Sequence, residues 1–176
     1  MPFIITVLGV IAAIYFYMKR ARNTIEMTHE ILDVANDVRL AARRFGFRRR
    51  HGLHPVESVT DANLAIGTIA TAFIELSGLP TQNDRDILNQ ALCNTLHLTP
   101  QEAAEMQVLG HWLMLQCGGA TPAVSRVARR LVKLGGADNW EPLLSVIKDI
   151  LGAYDTPASQ QQTEAIEDIK RAFRVT

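Results

Sequence analysis

Two cysteines and two of the five histidines are the side chains best suited to chemistry. Cys93 and His97 lie four apart on one predicted helix, and His111 and Cys117 follow on the next. Two thiolates and two imidazoles could make a tetrahedral zinc site. Their spacing matches no standard zinc pattern, and a buried free cysteine commonly serves as a small core residue. Cys117 stands before Gly118-Gly119 with His111 upstream, an arrangement that would suit a thiol nucleophile. A reactive thiolate wants a helix N-terminus or an adjacent cation. Cys117 falls at a predicted helix C-terminus, so it is read as inert. The acid pairs Asp84/Asp86 and Glu167/Asp168 read as first-turn or solvated surface charges. The chain has no G-x-G-x-x-G, no G-x-x-x-x-G-K-[ST], no H-E-x-x-H and no G-x-S-x-G. A non-enzymatic protein without cofactor or small-molecule substrate is therefore expected.

The elements that carry these residues are helical throughout. Thr99-Pro100, Thr121-Pro122 and Thr156-Pro157 mark helix starts, because Thr caps free N–H groups and Pro fits the first turn. Thr99 and Glu102 form a capping box. Gly118-Gly119, Gly135-Gly136 and Gly152 mark the stops. Six helices are predicted, over 58–77, 82–97, 100–117, 122–134, 140–151 and 157–173. Each carries an apolar stripe, with Leu115 and Trp112 placed on that of the third. Short loops imply antiparallel neighbours in a compact bundle. Trp140, beside a predicted start, is either a packing staple or an exposed anchor for a partner.

The N-terminal segment is of another kind. Residues 3–18 read FIITVLGVIAAIYFYM, with no charge. Counted from Met1 the stretch spans roughly 27 Å as a helix, close to a thin hydrocarbon core. Phe3, Ile4, Ile5, Leu8, Ile11, Ile14 and Phe16 would face lipid. Tyr15 and Tyr17 suit the interface, and Lys19, Arg20 and Arg22 can snorkel. A cleaved signal peptide would carry its bases before the apolar run. The positive-inside rule puts residues 19–176 in the cytoplasm and the N-terminus outside. In a bacterial host the membrane is the inner one.

Residues 19–55 are predicted to be a basic helical stalk and linker, leaving 56–176 as the globular domain. Residues 1–52 hold nine Lys/Arg against four acids, a net +5, and the remainder is −5. The run RRFGFRRRH contains Arg43, Arg44, Arg48, Arg49 and Arg50, expected to touch lipid or a partner. Nucleic-acid binding, with Phe45 and Phe47 stacking on bases, is the weaker reading because topology already requires positive charge here. Two cysteines outside any C-x-x-C pair make no disulfide framework.

Two segments, FIELSGLPTQNDRDIL (73–88) and ILGAYDTPASQQQTEAI (150–166), have related helix–turn–helix patterns. With the helix order they resemble the TerB-like family, small all-helical domains named after tellurite-resistance proteins. The resemblance covers about residues 58–176. It implies acids in the two turns that bind metal. The pattern here is depleted: Ser77-Gly78 then Asp84, and Asp155-Thr156 then Gln162. Asp84 and Asp155 alone are a poor site for a hard cation, which needs several oxygen ligands. The expectation is thus an all-α protein: an N-terminal transmembrane helix over 1–18, the basic stalk, and a bundle of about six helices. Its partners would be membrane lipid and other integral membrane proteins of a larger assembly, such as a respiratory complex, with no nucleic acid. A membrane-tethered, stress- or metal-responsive TerB-like protein is the alternative.

Overall fold

The structure, a computed structural model, describes residues 36–154 and 157–175. The chain divides into two units, Met1–Asp37 and Val38–Thr176. The predicted anchor and the first part of the stalk, through residue 35 and so including Phe3 to Arg22, lie outside the described residues. Among the described residues, no helix is long and apolar enough to cross a membrane.

The second unit is all-helical among its described residues. It opens with a helical stretch, α1, over residues 38–44. A 3₁₀ turn follows at Pro55–Ser58, then α2 (Ala62–Glu75), α3 (Gln82–Leu96), α4 (Pro100–Gln116) and α5 (Ala120–Gly135). A second 3₁₀ turn, Gly136–Asn139, leads into α6 (Trp140–Gly152), and α7 (Gln160–Phe173) closes the chain. The expected bundle of about six helices, α2 to α7, is present.

Three starts differ from the sequence reading, each for a local reason. The helix expected at 58 begins at Ala62, because Asp61 is extended and its carboxylate accepts from the Asn63 N–H at 2.8 Å. Residues 55–58 form a separate 3₁₀ turn capped by His54. α5 begins at Ala120, before Thr121-Pro122, with Gly119 at φ 124 ahead of it. Pro122 sits in the first turn, where its missing N–H has no helical partner to lose. α7 begins at Gln160, not at the Thr156-Pro157 pair, because Ser159 and Gln162 make a capping box.

α2 is the axis of the unit. Every residue from Leu64 to Ile74 is buried, so it has no solvent face and more than a stripe. The chain from Ala62 to Ile74 carries no charge, which permits full burial. Its buried hydroxyls are satisfied within the helix: Thr68 donates to the Leu64 carbonyl at 2.7 Å and Thr71 to Gly67 at 2.8 Å. Close approach to α4 depends on small residues. A Cβ on Gly67 would lie 2.4 Å from Met106 Sδ, and one on Gly110 would lie 3.2 Å from the Thr68 Cα. Met106, Leu109 and Leu113 of α4 are buried against this axis. Leu115 is 56% exposed, contrary to its assignment to the stripe, because it is turned about 200° from Leu113.

Candidate functional site

The basic run does not hang free as a linker. It lies along α4. Ala41 is fully buried, and Val38, Ala42, Phe45 and Phe47 pack against the core. The Arg44 guanidinium sits 2.7 Å from Glu105 and 3.6 Å from Glu102, near the start of α4. Further along, the Phe47 ring meets Trp112 edge-on, with centroids 5.9 Å apart. At the far end, His54 Nε2 lies 3.0 Å from the Gln116 carbonyl. Val38, Ala42 and Phe45, at a helical 3–4 spacing in the sequence, therefore find their apolar partner in the same chain. Trp112 is half-buried, closing this contact rather than filling the centre. Arg43, Arg48, Arg49 and Arg50 remain exposed, and the Arg50 N–H donates to Ser58 Oγ at 3.1 Å.

The two helix–turn–helix corners meet. In the first, Thr81 and Asp84 form a capping box at the start of α3. The Asp84 carboxylate accepts from the Thr81 N–H at 2.7 Å and hydroxyl at 2.8 Å. Its other oxygen accepts from the Tyr154 hydroxyl at 2.7 Å. Tyr154 belongs to the second corner. These bonds favour the ionised form, the Tyr154 one most, so Asp84 is held below the usual carboxylate range. Burial, then the Asp84 carboxylate, pushes the Tyr154 phenol far up.

The second corner answers in kind. Gln162, 5% exposed, accepts from the Ser159 N–H at 3.0 Å. Its Nε2 donates to the Phe73 carbonyl at 3.2 Å, and Ser159 Oγ donates to Leu76 at 3.2 Å. These carbonyls belong to the end of α2, whose last turn tightens as Ser77 N–H bonds Ile74 instead of Phe73. A helix end buried without such partners would leave orphan acceptors. Asp84, the one described member of the Asp84/Asp155 pair, is thus bonded by three protein donors; Asp155 lies outside the described residues.

The other chemistry-bearing side chains are dispersed. Among the described residues, no group of three His, Cys, Asp or Glu could hold a metal ion. His111 Nδ1 lies 2.7 Å from Glu75, and Cys93 Sγ is 3.5 Å from Asn89 Oδ1. Burial raises the Cys117 thiol, partly opposed by nearby Arg126. Burial, aided by Glu102, also raises Cys93. Neither thiol is poised as a thiolate. His97 ends α3 in the left-handed region at φ 55. Trp140 is half-buried, with its ring 5.4 Å from Phe173. A shallow depression of about 330 Å³ between α5 and α7 is lined by Thr121, Val124, Gln161, Glu164, Asp168 and Arg171. Asp168 there already accepts from Ser125 and pairs with Arg171, both at 2.8 Å.

Sequence reasoning missed the roles of Thr81, Tyr154, Ser159 and Gln162, the last noted there only as standing where an acid is absent. The first and last two sit in T-x-x-D and S-x-x-Q spacings, the same signal that marked Thr99 and Glu102. Nothing local to Tyr154 announces its partner, seventy residues away. Comparison with protein-family models, with curated proteins and with solved structures gives no match.

Proposed function

We propose that the chain is a membrane-anchored, non-enzymatic accessory subunit that binds or stabilises a larger membrane protein assembly. A respiratory complex of a bacterial inner membrane is one such assembly. One observation carries the reading: the uncharged run Phe3–Met18, followed at once by Lys19, Arg20 and Arg22. The anchor confines the helical domain to the cytoplasmic surface, where it meets other membrane proteins at raised effective concentration. The described domain supports an adaptor role. Its polar side chains are spent on fastening helices, as Asp84 and Gln162 illustrate. The exposed basic residues of the 43–51 run, Arg43 and Arg48 to Arg50, are carried on a segment whose Ala41, Phe45 and Phe47 pack in or against the core.

Affinity purification of the full chain from gently solubilised membranes, with quantitative mass spectrometry, tests the proposal. The expected result is one or more integral membrane proteins at fixed stoichiometry. A strictly monomeric protein would count against it. Calorimetric titration with Ca²⁺, Mg²⁺ and Zn²⁺ addresses the metal-responsive alternative. Tight binding that disappears in Asp84→Asn would favour that alternative over the adaptor.

A further inference from the structure

We propose that α5 and the Arg48–Arg50 segment form a single basic face that docks on anionic phospholipid headgroups. The proposal rests on the membrane-anchored reading above and gives that surface a ligand. α5 carries Arg126, Arg129, Arg130 and Lys133 and no acid. At spacings of three, four and seven they share one side of the helix, away from buried Val124, Val127 and Leu131.

The fold brings this stripe to the basic run. The Arg130 guanidinium donates to the Val59 carbonyl at 2.8 Å. The adjacent residue, Ser58, accepts from the Arg50 N–H at 3.1 Å. One dipeptide therefore ties the backbone of the first basic stretch to a side chain of the second. At the far end of α4, His54 reaches the carbonyl of Gln116, and Arg126 stands close to the next residue, Cys117. Arg48, Arg49, Arg50, Arg129 and Lys133 are exposed, and none is ion-paired among the described residues. The acids on the intervening turn, Glu57 and Asp61, are half-buried, and Asp61 is engaged as a helix cap.

Two features select lipid over nucleic acid. Single-stranded nucleic acid needs exposed rings on which bases stack. Phe45 and Phe47 are instead half-buried and packed against the core, Phe47 edge-on to Trp112. The large exposed apolar residues flanking the basic run are Leu40, at 49%, and Leu53, at 47%, aliphatic side chains suited to the headgroup boundary. Each cation near an anionic surface is worth about fivefold in association.

The test uses the full chain in lipid nanodiscs carrying a dansyl-labelled headgroup. Both tryptophans, Trp112 and Trp140, lie in the helical domain, so energy transfer to dansyl reports its approach to the bilayer. Transfer should rise when about 30 mol% phosphatidylglycerol replaces zwitterionic lipid, and fall in about 0.5 M salt. The double variant Arg129→Glu/Lys133→Glu should return it to the zwitterionic level. Arg48→Gln/Arg49→Gln should lower it through the other half of the face. Arg85→Glu/Lys148→Glu, the same charge change on exposed residues of α3 and α6, should leave it unchanged. Vesicle flotation reads the anchor separately. Flotation with both lipids but charge-independent transfer overturns the docking and leaves the anchor standing. Flotation with anionic vesicles alone overturns the anchor and leaves the docking. Binding of single-stranded RNA that the double variant abolishes, with charge-independent transfer, overturns the lipid assignment in favour of nucleic acid.

Discussion

The two corners perform one task with different chemistry. Each starts a helix with a capping box, Thr81–Asp84 in one and Ser159–Gln162 in the other. Each sends its third helical residue into a bond with the opposite corner. The first uses a carboxylate, close to solvent, which accepts from Tyr154. The second uses an amide, 5% exposed, which accepts from Ser159 and donates to Phe73. Burial explains the exchange of residue type. A carboxylate in the second position would be desolvated and would face the Phe73 carbonyl with no proton to offer. An amide can satisfy both an N–H and a C=O. The charge that a TerB-like pattern would place at residue 162 is therefore one this packing disfavours.

The largest predicted effect comes from forcing the two corners to match. Gln162→Glu should cost about 3 kcal/mol at neutral pH, the penalty of a poorly compensated buried charge. Urea denaturation of the full chain in detergent, followed by tryptophan fluorescence, would measure it. Burial should raise that carboxyl above its unfolded value, so the loss should shrink on acidification. Gly67→Ala loads α2 away from both corners. Its Cβ would meet Met106 Sδ at 2.4 Å and Cγ at 2.6 Å. Overpacking should outweigh the gain in helix propensity and cost about 2 kcal/mol net. In the same assay this loss should add to that of a corner variant, as expected for sites without shared partners.

Tyr154→Phe removes the bond from the second corner to the first and should cost about 1 kcal/mol. A cycle with Asp84→Asn would isolate the pair; no coupling energy would mean the corners are fastened by Gln162 and Ser159 alone. Asp84→Asn should have the smallest effect, about 0.5 kcal/mol, since the site is solvated. Its signature lies in the acid limb. Asp84 titrates below its unfolded value, so its contribution is present above the ordinary carboxylate range and is lost as pH falls through the folded value. The variant should flatten that limb in a stability-versus-pH series.

Much of this fold is legible in local signals. Thr99–Glu102, the glycine pairs and the 3.6-residue periodicity locate all six ends of α4, α5 and α6 within two residues. The errors arise where a rival signal sat nearby. Thr-Pro pairs at 121 and 156 outweighed Gly119 and the Ser159 box. Full burial of α2 follows from its missing charges, whereas periodicity predicts only a stripe because it describes faces and not neighbours. The bonds from Tyr154 to Asp84 and from Gln162 to Phe73 were not legible. They join residues 70 and 89 positions apart, and only packing brings them together. The same holds for the meeting of α5 with Arg48–Arg50 through Ser58 and Val59.

The anchor remains the premise of the functional account, and alkaline carbonate extraction of membranes bearing the full chain tests it most directly. Retention in the pellet alongside integral proteins is the predicted result. Release into the supernatant alongside peripheral proteins would contradict it.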